Sequence, residues 1–87
     1  MHAFFPTLVE ADETDGGYGA IVVGTPVLGQ GETIVEALED AAESLQELVW
    51  TSLAKGEPVP QPGRPTPEEC ARGQISLLQI TLPAVAA

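Results

Sequence analysis

The sequence is poor in the residues on which most catalytic and metal sites depend. Cys70 is the only cysteine and His2 the only histidine among 87 residues. A single cysteine excludes an intrachain disulfide, and these two residues cannot supply the ligands of a structural zinc site. His2 is a poor candidate for the base of a Ser-His-Asp or Cys-His centre. We therefore expect no enzyme, no metal and no cofactor.

Basic residues are scarce as well. Three lysines and arginines stand against 13 acidic residues, which gives a formal net charge of −10. Such a chain repels phosphate backbones, so direct binding of nucleic acid is not expected. The same charge attracts a basic protein and speeds its encounter. The alternative is that the acidity only maintains solubility.

Long apolar runs are absent, and the N-terminal stretch lacks both the basic start and the continuous apolar core of a secretory signal. The sequence therefore predicts one cytoplasmic domain over residues 1–87, without membrane contact. A domain this small that has no disulfide and no metal often gains stability by oligomerisation.

Alternating and glycine-bounded segments predict the strands. Residues 2–12 form the first, with Phe5, Thr7 and Val9 on one side and Phe4, Pro6 and Leu8 on the other. The loop 12–17 leads into an antiparallel strand over 18–24, and 25–32 contains a short edge strand or a turn. Residues 74–83 close the fold as a strand, with Ile75 and Leu77 on one side and Leu78 and Ile80 on the other, before a flexible tail at 84–87.

One long helix is the strongest local signal. Thr33 and Glu36 have the spacing of a capping box at its start, and Gly56 suits its C-terminal end. The residues that share its apolar stripe, and so belong to the core, are Ile34, Leu38, Ala41, Leu45, Leu48, Val49 and Ser52, flanked by Ala37 and Ala42.

Five prolines between residues 57 and 67 exclude a helix or a central strand there and predict an extended connector. The stretch 67–73 predicts a turn or a short helix. The order is β-β-(β)-α-β, an α+β fold in which one long amphipathic helix covers a small antiparallel sheet.

The face of the helix opposite the apolar stripe is acidic. Glu36, Glu39, Asp40, Glu43 and Glu47 lie together there, without a basic residue at i+3 or i+4. Trp50 falls among them, roughly 150° from the centre of the apolar stripe. Tryptophan is enriched at interface hot spots, so these six residues are the candidate partner-binding surface. In the alternative, prolines of the connector fold back over the indole.

Both sides of the strands carry large apolar residues, although one helix covers only one face of a sheet. The uncovered face predicts a homodimer or a higher oligomer, for which we name Phe4, Leu8, Leu78 and Ile80 as the interface. The alternative is that the connector and the tail fold over this face.

Carboxylates also cluster near the first hairpin, at Glu10, Asp12, Glu13 and Asp15. They suggest a third function, a metal-dependent hydrolase. Their spacing matches no calcium-loop pattern, and a solvated loop explains them better.

The order of short motifs resembles the HicB-like antitoxin family, which has a partial RNase H fold. The resemblance covers most of the chain: the opening hairpin of residues 4–20, the segment Gly31-Glu32-Thr33, then Glu36-Ala37-Leu38, and finally Gly56 with the spaced prolines Pro58, Pro60 and Pro62. Two departures are visible. The family's proline-aspartate-leucine-proline-glycine-cysteine stretch is replaced by VGTPVLGQ, and nothing after Pro83 suits a DNA-binding segment.

The resemblance implies an antitoxin that binds and neutralises a small basic, mRNA-cleaving toxin of the HicA-like kind. We expect a short form without a DNA-binding segment, in which the acidic residues steer the toxin and Trp50 anchors it. The rival hypothesis is a stand-alone oligomeric scaffold or interaction module without a toxin partner, in which the acidity serves solubility alone.

Overall fold

A computed structural model of the chain describes residues 2–81. The strands are β1 (His2–Ala11), β2 (Tyr18–Val22), β3 (Leu28–Gly31) and β4 (Gln74–Thr81). The helices are α1 (Ile34–Lys55) and the short α2 (Pro67–Arg72). The four strands form one sheet in the order β3-β2-β1-β4, and every neighbouring pair is antiparallel. The predicted α+β class with one long helix on a small antiparallel sheet is confirmed. The expected tail at 84–87 lies outside the described residues.

Helix α1 begins and ends where the sequence predicts. The Thr33 hydroxyl accepts a hydrogen bond from the Glu36 amide, and Gly56 adopts the left-handed conformation with φ of 68°. The expected capping box is only half formed, however. The Glu36 carboxylate accepts from the amide of Glu32, which precedes the cap, at 2.9 Å. The complete reciprocal box lies at α2, between Thr66 and Glu69.

The core fills the space between α1 and one face of the sheet. The helix contributes Ala37, Ala41, Leu45 and Val49, and the sheet contributes Phe5, Val9, Ala20, Val22, Leu78 and Ile80, with Val27 beside them. Ile34, Leu38, Ala42 and Leu48 pack at its margin. The apolar stripe of the helix therefore builds the core, as its periodicity indicates.

Proline at position 6 lies in β1, an inner strand, where proline normally breaks the ladder. Its carbonyl still accepts from the Val23 amide, at 3.0 Å. Pro6 has no amide to return, so the Val23 carbonyl instead accepts from the amide of Gly63, at 3.3 Å. The proline-rich connector is thereby tied to the sheet, and its Val59 packs against the core.

Two glycines let α1 approach the edge strand β3 closely. A Cβ at Gly29 would overlap the Ala37 carbonyl and the Ala41 amide, and a Cβ at Gly31 would overlap the first turn of the helix. Nothing but glycine fits at these positions without moving the helix, so they fix the distance between the layers.

We predict that Gly29→Ala lowers the free energy of unfolding by about 3 kcal/mol, because the overlap must be relieved by displacing α1. Urea unfolding measures this loss. The matched control is Gly19→Ala, also in a strand, where the nearest atom to a new Cβ is 3.9 Å away. Equal unfolding midpoints for the two variants would contradict the close-packing account.

Candidate protein interface

The five acidic residues predicted to form one face of α1 do so, and all are exposed. We call Glu36, Glu39, Asp40, Glu43 and Glu47 the acidic ridge. Within residues 2–81 the single ion pair joins Arg72 to Glu10, on the sheet, so the ridge carries no intramolecular cation. Its charge is directed to solvent along about three turns of the helix.

Two members of the ridge have structural duties. The Asp40 carboxylate accepts from the Gln30 amide at 2.9 Å, and Glu36 holds the amide of Glu32. The Val22 amide bonds to the Val27 carbonyl, so in this register the odd-numbered residues of β3 hydrogen-bond to β2 and the Gln30 amide faces the open edge of the sheet. Asp40 therefore caps that edge. Glu39, Glu43 and Glu47 make no side-chain hydrogen bond in the described chain, which leaves them available to a partner.

Trp50 lies at the C-terminal end of the ridge and is 51% exposed. Leu53, three residues on and therefore adjacent on the helix surface, is 37% exposed. The indole keeps about half of its surface exposed, so the connector does not bury it, and Val59 of the connector packs against the core instead. An apolar spot thus adjoins three free carboxylates, a combination suited to a partner with both apolar and basic groups.

The face of the sheet opposite α1, called here the outer face, is largely apolar. The register places Leu8 beside Ile21 and Ile75, Pro6 beside Leu77, and Ile21 beside Leu28. Phe4, Leu28 and Leu77 are 54%, 51% and 68% exposed. Neither the connector nor α2 covers these three side chains.

The structure corrects part of the predicted oligomer interface. Leu78 pairs with Phe5, and Ile80 pairs with Ala3. Both side chains therefore point toward α1 and lie in the core, where Leu78 is 8% exposed and Ile80 is 3% exposed. Phe4 and Leu8 lie on the outer face as expected, but Leu8 is fully buried between its neighbours. The apolar β4 residues that share this face are Ile75 and Leu77. Strand alternation places Ile75 and Leu77 on one face of the sheet and Leu78 and Ile80 on the other.

The hairpin carboxylates have roles in local structure. Asp12 accepts hydrogen bonds from the amides of Thr14 and Asp15, each at 3.0 Å, which builds the turn. Glu10 pairs with Arg72 across the start of β4. No group of three or more potential ligands is placed to hold a metal ion within residues 2–81. Among the described helices, none is long and apolar enough to cross a membrane.

Comparison with solved structures finds a neighbour that informs on function. No protein-family model and no curated protein matches the chain. The crystal structure of the Burkholderia pseudomallei antitoxin HicB superposes with a TM-score of 0.77 and 29% sequence identity. The match covers 92% of this chain and 64% of that one, so this chain spans somewhat less than two thirds of the neighbour's length. The predicted resemblance to HicB-like antitoxins is confirmed by this structural match.

Asp40→Ala is expected to lower the free energy of unfolding by about 1 kcal/mol relative to Glu43→Ala, because only Asp40 accepts from a backbone amide. Both variants remove one carboxylate from the same helix face, so they share the general effect of lost charge. The second readout is hydrogen exchange at the Gln30 amide, which accelerates in Asp40→Ala alone. Identical unfolding free energies and identical exchange rates in the two variants would contradict the role of Asp40 as a cap on the edge of the sheet.

Proposed function

We propose that this HicB-like chain is a cytoplasmic antitoxin domain that binds and neutralises a small basic, mRNA-cleaving toxin of the HicA-like kind. The observation that carries the proposal is the acidic ridge with Trp50 at its end, on a fold that matches an antitoxin. The role is binding rather than catalysis. It needs no metal, cofactor or direct contact with nucleic acid.

The ridge suits the first stage of such binding. A net charge of −10, with three free carboxylates in successive turns, attracts a basic protein over distances of about one Debye length. A toxin that binds RNA is positively charged for the same electrostatic reason. An antitoxin that occupies its basic surface would neutralise it by competing with the RNA.

Trp50 suits the second stage. A half-exposed indole beside Leu53 has apolar area to bury, and burial of an aromatic anchor mainly slows dissociation. The charges and the anchor therefore act on different rates. Glu43 and Glu47 set the association rate, and Trp50 sets the dissociation rate of the complex.

We also propose that the chain associates with itself, since the outer face exposes Phe4, Leu28 and Leu77 together. The domain assignment over residues 1–87, with the connector at 57–67, remains part of this proposal.

The test begins with the neighbouring genes, among which we expect one that encodes a small basic protein, and that protein is purified on its own. We expect it to cleave mRNA and to lose that activity when the chain is added in equal amount. A neighbouring protein that neither cleaves RNA nor binds the chain would contradict the antitoxin function. That result would favour the scaffold without a toxin partner.

In the same system, Glu43→Lys with Glu47→Lys is expected to slow association about tenfold at low salt and to flatten its salt dependence. Trp50→Ala should accelerate dissociation at least tenfold. Stopped-flow binding at several salt concentrations measures both rates. The control, Glu13→Lys with Asp15→Lys, makes the same change in net charge on the exposed hairpin loop and should retain most of the wild-type rate. If the two charge-reversed proteins behave alike, the ridge is not the docking surface.

A further inference from the structure

The two edge strands of the sheet differ in how their unpaired backbone groups are protected. Edge strand β3 has four residues, lies under α1 and has its Gln30 amide capped by Asp40. Edge strand β4 has eight residues, and neither a proline nor a charged residue occurs between Gln74 and Thr81. Proteins usually protect long apolar edge strands with charge, proline or a covering element. The strand β4 is protected neither by charge nor by proline.

The register shows which backbone groups of β4 face outward. The Pro6 carbonyl bonds to Val23, so the even-numbered residues of β1 pair with β2 and the odd-numbered ones with β4. Residues 74, 76, 78 and 80 of β4 therefore pair inward. The amides and carbonyls of Ile75, Leu77 and Gln79 face the open edge. Within residues 2–81, none of them has a hydrogen-bond partner on that side.

Thr81 shows the same outward orientation as the other odd-numbered residues of β4, and the open edge ends there. Its carbonyl accepts from the Gln46 amide group at 2.8 Å, and its amide donates to the Gln46 side-chain oxygen at 3.2 Å. The side chain of Gln46 thus replaces a neighbouring strand at Thr81. The unprotected segment runs from Ile75 to Gln79.

We propose that β4 pairs with β4 of a second copy of this chain, antiparallel about a two-fold axis at Leu77, to form one eight-stranded sheet. Leu77 then faces Leu77 of the second copy, and Ile75 faces Gln79 in both directions. Those three outward residues of each copy would make about six backbone hydrogen bonds. The pairing deepens the self-association proposed above and does not depend on a toxin partner.

Charge argues for a second copy as the occupant. Two chains of net charge −10 repel each other over most of their surfaces. The acidic ridge lies on α1, on the other layer, and β4 itself carries no charge. The strand β4 offers a basic partner no carboxylate for an ion pair, whereas a second β4 meets it there without contact between like charges. The arrangement also places Leu77 of both copies side by side on the outer face, which buries part of the large apolar side chain that is most exposed within residues 2–81.

Cysteine cross-linking tests the register directly. In a Cys70→Ser background, Leu77→Cys brings two thiols together across the axis, where Cα atoms of a hydrogen-bonded pair lie about 5.5 Å apart, within disulfide range. We expect nearly complete disulfide-linked dimer under mild oxidation. The control is Leu28→Cys, an exposed residue on the same face but on the opposite edge, which should stay reduced. Equal cross-linking of the two variants would overturn the proposed register.

Gln79→Pro removes an outward-facing amide without touching the ladder to β1. It should shift the wild-type dimer to monomer in sedimentation equilibrium, and circular dichroism establishes that the variant is folded. Leu77→Lys, which places like charges on the axis, is a second variant and should give the same shift. If the wild-type chain is monomeric even at about 100-fold the concentration used in the toxin-binding experiment, both the proposed self-association and the β4 pairing are overturned. A dimer that Gln79→Pro does not weaken would overturn the β4 pairing. If Leu77→Lys still dissociates that dimer, the outer face, which carries Leu77, is the contact.

Discussion

The close contact between α1 and β3 is the constraint on which the remaining structure depends. Gly29 and Gly31 remove the side chains that would hold the two elements apart, and Ala37 and Ala41 present the small side of the helix to them. At that distance the larger residues Leu45 and Val49 reach over the centre of the sheet and bury Phe5 and Val22. The same contact turns Asp40 toward the Gln30 amide and the other acids toward solvent. Packing on one face of the helix thus fixes the charge on its opposite face.

Much of this fold could be predicted from local rules. The helix boundaries, its buried stripe and the antiparallel hairpin follow from capping residues and periodicity, which act over a few residues. The rest depends on partners distant in sequence. The carboxylate of Glu36 turns to Glu32 rather than completing the cap, and the true capping box, Thr66 with Glu69, lies in a six-residue helix that carries little periodicity. Its spacing, Thr-Pro-Glu-Glu, was nevertheless a readable signal.

The surfaces were harder to predict than the core. The acidic ridge follows from helical geometry, but Asp40 differs from Glu43 only because an edge amide happens to lie opposite it, which requires the strand order. The misplacement of Leu78 and Ile80 has a similar origin. Whether a β4 side chain points to the helix or away depends on its register with β1, and this register pairs residues 65 or more positions apart. Pro6 was compatible with an inner strand only because Gly63 supplies the missing donor.

The position of β4 beside β1 also bears on how the chain folds. All of β4 pairs with β1. Among the described elements, however, β1 is synthesised first and β4 last. Until β4 emerges from the ribosome, β1 has an open edge and the core lacks Leu78 and Ile80. Pairings between such distant segments close large loops and slow the folding of a domain. The core is therefore complete only after β4 has paired with β1, and until then the chain exposes apolar surface and an unpaired strand edge, which favour aggregation.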